Sequence, residues 1–361
     1  MSKRLASVYH PGEMLQEKLK ELAMPIKEFA LRCGKPEPTI HDVLRGRSAV
    51  TPEMAIRFEE VLRIPVRLWL NMQSAYDEFV ARRKRDDELQ SDISWIDQFP
   101  FSEMIEKGYL AASPKNSELE KLKLLLRFFG FSNTRGWEKY YQEQIFRAEF
   151  CLSLKGVPDV HALSAWLRYG EIKAQHAYDL PRFDTVSLKS QVPKMQALAN
   201  SGKDDFLSEL TELCKKVGVI LVCTPQLKNT KVCGATRWLK ETPLVQIADN
   251  YGRYDSFWFY FFHEIAHLLL HGKRDVFLEG VEYEQKNPSK EREADAFASN
   301  CLVPRHVVNC LKKFAYTEKT LHALCAKEHL HKAFVVGRLQ TLGLIGQSVG
   351  NQHIHSLCFS Q

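Results

Sequence analysis

Apolar residues recur at helical spacing along most of the chain. Met14, Leu15, Leu19 and Leu22 mark a first helix, with Pro11 suited to its opening turn and Met24-Pro25 breaking the pattern. Residues 26–33 form a second short apolar stretch that ends at Gly34, and residues 36–45 form a third that is closed by Gly46. Two short helices joined through a glycine turn predict a helix-turn-helix, whose second helix would enter a major groove. Thr51-Pro52-Glu53 reads as an N-cap followed by a first-turn proline, opening a helix that carries Ile56, Phe58 and Leu62. Helical spacing returns over 117–129 (Leu119, Leu122, Leu125, Leu126, Phe129) and again over 161–178. The texture changes after Pro181. An amphipathic stretch over 206–217 stops at Gly218, and a β-branched run over 219–222 follows it. Two more strand-like runs, 231–239 and 244–248, are separated by turn residues that include Glu241-Thr242-Pro243, and a long apolar run occupies 257–270. One edge of the small sheet so predicted could bind an extended peptide.

These elements predict a mainly α protein with a small α+β C-terminal domain. The run Arg82-Arg83-Lys84-Arg85-Asp86-Asp87-Glu88 is a solvated helix face or a linker, and sets a domain boundary. Three regions are expected: an all-α helix-turn-helix over 1–85, a helical connector over 86–185, and a metal-site domain over 186–361. In the connector Trp95, Trp137 and Trp166 read as core, because no basic groove accompanies them.

With 361 residues, 45% of them hydrophobic and 26% charged, the composition is that of an ordinary globular protein with room for two or three domains. No secretory leader is readable after Met1, and the longest apolar run is interrupted by His263, Glu264 and His267, so a cytoplasmic protein is expected. Nine cysteines, odd in number and without a C-x-x-C pair, fit reduced thiols better than a disulfide framework. The net charge is +6, and the first 85 residues hold sixteen Lys/Arg against eleven Asp/Glu. That bias is compatible with nucleic acid but small enough to be an ordinary solvated surface.

The candidate chemistry lies in the apolar run, at His263-Glu264-Ile265-Ala266-His267. Residues four apart share a helix face, so His263 and His267 can place two imidazole nitrogens on one metal ion, with Glu264 beside them as a base. A buried helix that merely carries two histidines is the bland alternative. It is disfavoured because burying His and Glu without partners is costly. A catalytic zinc needs one more protein ligand besides its water. His271 lies eight residues from His263, about 12 Å along a helix, which is too far to share the ion, so it is assigned to capping or to supporting a ligand. The stretch Glu291-Arg292-Glu293-Ala294-Asp295 offers better candidates. Glu291 and Asp295 share a face, so Glu291 could ligate while Asp295 accepts a hydrogen bond from a ligating histidine. Glu293 lies about 200° round the helix from Glu291 and should point away. His271 and Tyr283 are candidates for stabilising an oxyanion, and no spacing selects between them.

Residues 10–79 resemble the XRE-type helix-turn-helix of HigA-like antitoxins. The resemblance rests on His10-Pro11-Gly12-Glu13, Thr39-Ile40, the 44–47 end of the recognition helix, Thr51-Pro52-Glu53-Met54-Ala55 and Trp69-Leu70-Asn71-Met72-Gln73. It implies operator DNA as a partner and a homodimer. Lys35, Thr39, His41, Arg45 and Arg47 are the candidate DNA contacts, working against Pro36, Glu37 and Pro38, which remove amide donors and repel phosphate.

Residues from about 200 to 345 resemble the ImmA/IrrE family of metallopeptidases. The marks are Phe257-Trp258-Phe259, the run from His263 to Gly272, Glu291-Arg292-Glu293-Ala294-Asp295-Ala296-Phe297-Ala298, Leu302-Val303-Pro304 and Val335-Val336-Gly337-Arg338-Leu339-Gln340. The resemblance implies zinc held by His263, His267 and Glu291, Glu264 as base, and cleavage of a repressor, antitoxin or toxin-system partner. The competing expectation is a HigA-like DNA-binding autorepressor whose peptidase-like half senses metal or binds a partner without proteolysis.

Overall fold

A computed structural model describes residues 8–357, except 114, 142–158, 176–179, 229, 231, 250–251, 272–276, 280–287 and 313–314. The chain divides into two compact units, Met1–Ile93 and Ser94–Gln361.

The first unit is helical. Helices α1 (Pro11–Glu21), α2 (Ile26–Cys33), α3 (Glu37–Leu44) and α4 (Pro52–Leu62) lead into the longer α5 (Val66–Gln90). The caps follow the local chemistry. His10 accepts the Gly12 amide at α1, Thr51 accepts the Met54 amide at α4, and Gly34 closes α2 at φ +60°. The apolar positions converge on one core in which Phe58 packs against Phe29 and Trp69. Gln73 is buried and accepts the Val50 amide at 2.9 Å, tying α5 to the loop before α4. The charged run over 82–88 continues α5 to Gln90 as a solvated helix.

In the second unit, α6 (Phe101–Glu106), α7 (Glu118–Phe129), α8 (Thr134–Glu138) and α9 (Val160–Ala174) come first, with α10 (Thr185–Ser201) and α11 (Phe206–Lys215) after them. Trp95, Trp137 and Trp166 are buried, as core aromatics should be. The strand-forming region yields β1 (Ile220–Thr224), β2 (Gly234–Leu239) and β3 (Thr242–Ala248). Next come α12 (Tyr254–Leu270), β4 (Phe277–Glu279), α13 (Pro288–Leu302), α14 (Arg305–Leu311), α15 (Glu318–Glu328) and α16 (Lys332–Thr341). The strand order is β1-β3-β2-β4, with β1 parallel to β3 and the other pairs antiparallel. β3 starts at Thr242 and contains Pro243, so the turn contracts to Lys240-Glu241, with Lys240 at φ +59°.

The sheet is covered on both faces, and strand alternation assigns the residues. Leu221, Val245 and Ile247 join the large core built around Phe257, Trp258, Phe261, Phe262 and Ile265 of α12. The other face meets α9. There Ala174 packs with Ile220 and Leu244, and a buried polar network closes the contact. Arg237 donates to Glu171 Oε1 (2.8 Å), to the Leu167 carbonyl (2.8 Å) and to Gln246 Oε1 (3.0 Å). Gln246 in turn donates to the Trp166 carbonyl and to Thr224 Oγ1. Gly170 admits this network, because a Cβ there would come within 2.1 Å of Gln246 Oε1.

Candidate metal centre

Helix α12 is apolar on nearly every side, as a helix enclosed by other elements must be. His263 and Glu264 are wholly buried and His267 is nearly so, and each meets a polar group there. His263 Nε2 and His267 Nε2 face each other at 2.9 Å. Glu291, in the first turn of α13, places Oε2 at 3.4 Å from the first and Oε1 at 3.8 Å from the second. His263, His267 and Glu291 can offer ligand atoms that all lie within 4.8 Å of one another. Donor atoms of a tetrahedral site with bonds near 2.05 Å are about 3.3 Å apart. The observed separations bracket that value, so the trio fits an ion of that size.

The far side of each ring is also held. Asp295 Oδ1 lies 3.0 Å from His263 Nδ1, which fixes the proton on Nδ1 and leaves Nε2 bare. His271 follows the last turn of α12, and its Nδ1 lies 2.9 Å from His267 Nδ1. For His267 Nε2 to be bare, its Nδ1–H must donate to His271. That histidine then carries its proton on Nε2, where Glu293 Oε2 stands 3.5 Å away. Glu293 is solvent-exposed and turned away from the trio, while reaching its outer layer. Tyr283 lies outside the described residues.

Glu264 faces the sheet. Thr236 of β2 donates to its Oε2 at 2.6 Å, and both side chains are buried. Two residues earlier on the same strand face, a Cβ at Gly234 would come within 2.5 Å of Glu264 Oε1. β2 thus combines a hydroxyl that holds the carboxylate with a residue small enough to admit it. Neither was anticipated from sequence, since both contacts depend on strand register.

In the first unit the proposed DNA contacts sit on or beside α3, and several are engaged within the protein. Lys35 pairs with Glu53 at 3.0 Å, Arg47 with Asp42 at 2.6 Å, and His41 lies 3.6 Å from Glu37. Thr39 is half-buried, whereas Arg45 is exposed and, among the described residues, enters no ion pair.

Comparison with known proteins agrees with both halves. Residues 15–69 match the helix-turn-helix family and residues 215–338 match the IrrE N-terminal-like domain. The HTH-type transcriptional regulator YddM of Escherichia coli K12 is 35% identical over 83 residues, which are 23% of this chain and 88% of the relative. The chain belongs to the helix-turn-helix regulators and carries an IrrE N-terminal-like domain. Virulence-associated protein I of Dichelobacter nodosus is 30% identical over 77 residues, 21% of this chain and 71% of that protein. Among solved structures, an addiction module antidote protein of the HigA family from Coxiella burnetii is 29% identical, covering 23% of this chain and 92% of its own, at a TM-score of 0.22. These relatives all concern the helix-turn-helix end. The trio and Asp295 lie within the IrrE-like match. Among the described residues, no helix is long and apolar enough to cross a membrane.

Proposed function

We propose that the chain is a regulatory zinc-dependent endopeptidase attached to a DNA-binding helix-turn-helix, cleaving a protein partner such as a repressor, antitoxin or toxin-system component. The observation that carries this reading is the convergence of His263, His267 and Glu291, with Glu264 next to them in sequence. Two imidazoles and one carboxylate are a donor set suited to catalytic zinc, which keeps a fourth position open. When bound, zinc supplies the Lewis acidity for peptide-bond hydrolysis. Glu264 takes a proton from the attacking water and returns it to the leaving amine, with its carboxylate oriented by the Thr236 hydroxyl. The catalytic half works in the cytoplasm, where the DNA is, and the helix-turn-helix half as a homodimer on paired half-sites.

The test is to measure zinc in the purified chain and to incubate it with the proteins encoded beside it. Stoichiometric zinc and a single cleavage site in one neighbour are expected. Absence of zinc under metal-replete conditions would remove the enzyme from the account. A non-proteolytic sensor is the second reading, favoured by the complete burial of Glu264.

The outer layer gives its own prediction. Asp295→Ala removes the carboxylate that orients His263, and should weaken zinc binding about 10- to 100-fold in competition with a chromogenic chelator. An unchanged affinity would show that Asp295 plays no part in holding the metal.

For the helix-turn-helix, Arg45→Ala should weaken binding to the upstream promoter in gel shifts and make the salt dependence shallower by about one phosphate contact. Lys35→Ala should cost less, because Glu53 already engages that ammonium. A promoter fragment that shows no salt-sensitive shift with the unaltered chain would exclude operator binding there.

A further inference from the structure

The sheet has two edges, and they differ in kind. β4 bounds one. On the other, β1 pairs only with β3, and among the described residues no strand lies outside it. Thr224 turns its carbonyl inward to the Asp249 amide at 3.1 Å, so by the alternation of a strand Ile220 and Val222 also direct their backbone groups toward β3. Leu221 and Cys223 therefore direct their amides and carbonyls outward, which is the requirement for accepting another strand.

That edge does not open onto flat surface. It forms the floor of a groove of about 550 Å³, walled by Leu207 and Thr211 of α11 on one side and by Tyr169 and Lys173 of α9 on the other. Leu221 and Cys223 turn their side chains into the core around α12, and among the described residues no strand covers their outward backbone groups. A slender segment can reach the edge. The sheet of a second copy would bring its own two helical walls into collision with these.

The groove carries charged groups. α9 runs antiparallel to β1. Its Ala174 packs at Ile220, whereas Tyr169 stacks on Tyr109, whose hydroxyl donates to the Pro225 carbonyl just beyond the other end of the strand. Lys173 is thus rooted at the N-terminal end of β1, with its ammonium 5.2 Å from the Tyr169 ring. Asp249 lies at the C-terminal end and already accepts the Gln226 amide at 2.9 Å. Lys107 donates to the Gln226 carbonyl at that same end, whereas among the described residues Lys173 enters no ion pair.

From this we infer that the β1 edge is a docking site for an extended segment of a partner protein, added as a fifth strand, with an acidic side chain beside Lys173. Main-chain hydrogen bonds to Leu221 and Cys223 provide the pairing, and the Lys173 contact favours one register. The site is separate from the metal trio, and stands whether or not the chain is a peptidase.

A random octapeptide pool displayed on phage and selected on the full chain tests this. Enriched peptides should be β-prone and carry an Asp or Glu. A synthetic copy of the most enriched one should bind in fluorescence anisotropy. Lys173→Glu, an exposed change, should invert the charge preference and weaken that copy at least tenfold. Cys223→Pro removes an outward amide, as proline can on an edge strand, and should abolish binding. If that variant loses structure by circular dichroism, Lys173→Glu and Lys173→Gln carry the test alone. Failure to enrich acidic peptides, or binding unchanged by Lys173→Glu, overturns the inference. So would sedimentation showing that the edge is occupied by a second copy of the chain.

Discussion

Glu264→Gln should retain zinc at the level of the unaltered chain and lower the rate of partner cleavage by about 10²–10⁴-fold, the contribution of a positioned general base. The substitution suits the site. Glutamine keeps the shape and an oxygen that can accept the Thr236 hydroxyl, and Gly234 leaves the same room beside the strand. What is lost is the capacity to carry a proton. Zinc content separates this effect from a damaged metal site, since His263, His267 and Glu291 are untouched. Alanine at the same position would be less informative, because it would empty a buried space and leave the Thr236 hydroxyl only the longer contact to the residue-264 carbonyl at 3.3 Å. Cleavage at the original rate by the zinc-loaded glutamine variant would remove Glu264 from the role of base. Loss of cleavage with regulation of the promoter intact would show that the two halves act separately.

The parts of this site that were legible in the sequence are those held by one helix or by a short helical spacing. His263 and His267 are four apart, as are Glu291 and Asp295, and the helix period alone places each pair on one face. Joining the two pairs took chemical reasoning about a missing ligand, and the structure brings those residues together, with Asp295 Oδ1 3.0 Å from His263 Nδ1. His271 was separated from the trio by length alone, and it meets the far nitrogen of His267. Thr236 and Gly234 were not legible. Their contact with Glu264 spans about thirty residues and is set by which face of β2 the register turns toward α12. Helix α10 went unread because Pro193 interrupts its pattern. The connector was the largest gap. The apolar spacing of α9 would suit any buried helix, and the partners of its carbonyls, Arg237 and Gln246, lie 70 and 80 residues further on.

That last contact has a measurable consequence. Arg237→Ala should destabilise the chain by about 3–5 kcal/mol, the range for stripping one partner from a buried ion pair. The guanidinium makes three hydrogen bonds with side-chain exposure of only 9%, and Glu171 on the other side is 23% exposed. Its removal leaves Gln246 Oε1 and Glu171 Oε1 without this donor between a helix and a sheet, with Glu171 held by Arg168 alone at 2.9 Å. At roughly 2–4 °C per kcal/mol for a domain of this size, the melting transition of the second unit should fall by about 10 °C. The effect should also reach the metal centre, because Arg237 follows Thr236 on β2, and loosening that strand loosens the hydroxyl that holds Glu264. A double change, Arg237→Met with Glu171→Met, removes both charges and should recover part of the lost stability, the remainder being lost because Arg168 also pairs with Glu171. Recovery of stability without recovery of cleavage would show that the network positions β2 as well as holding it. If Arg237→Ala melts where the unaltered chain does, α9 is not what anchors the sheet.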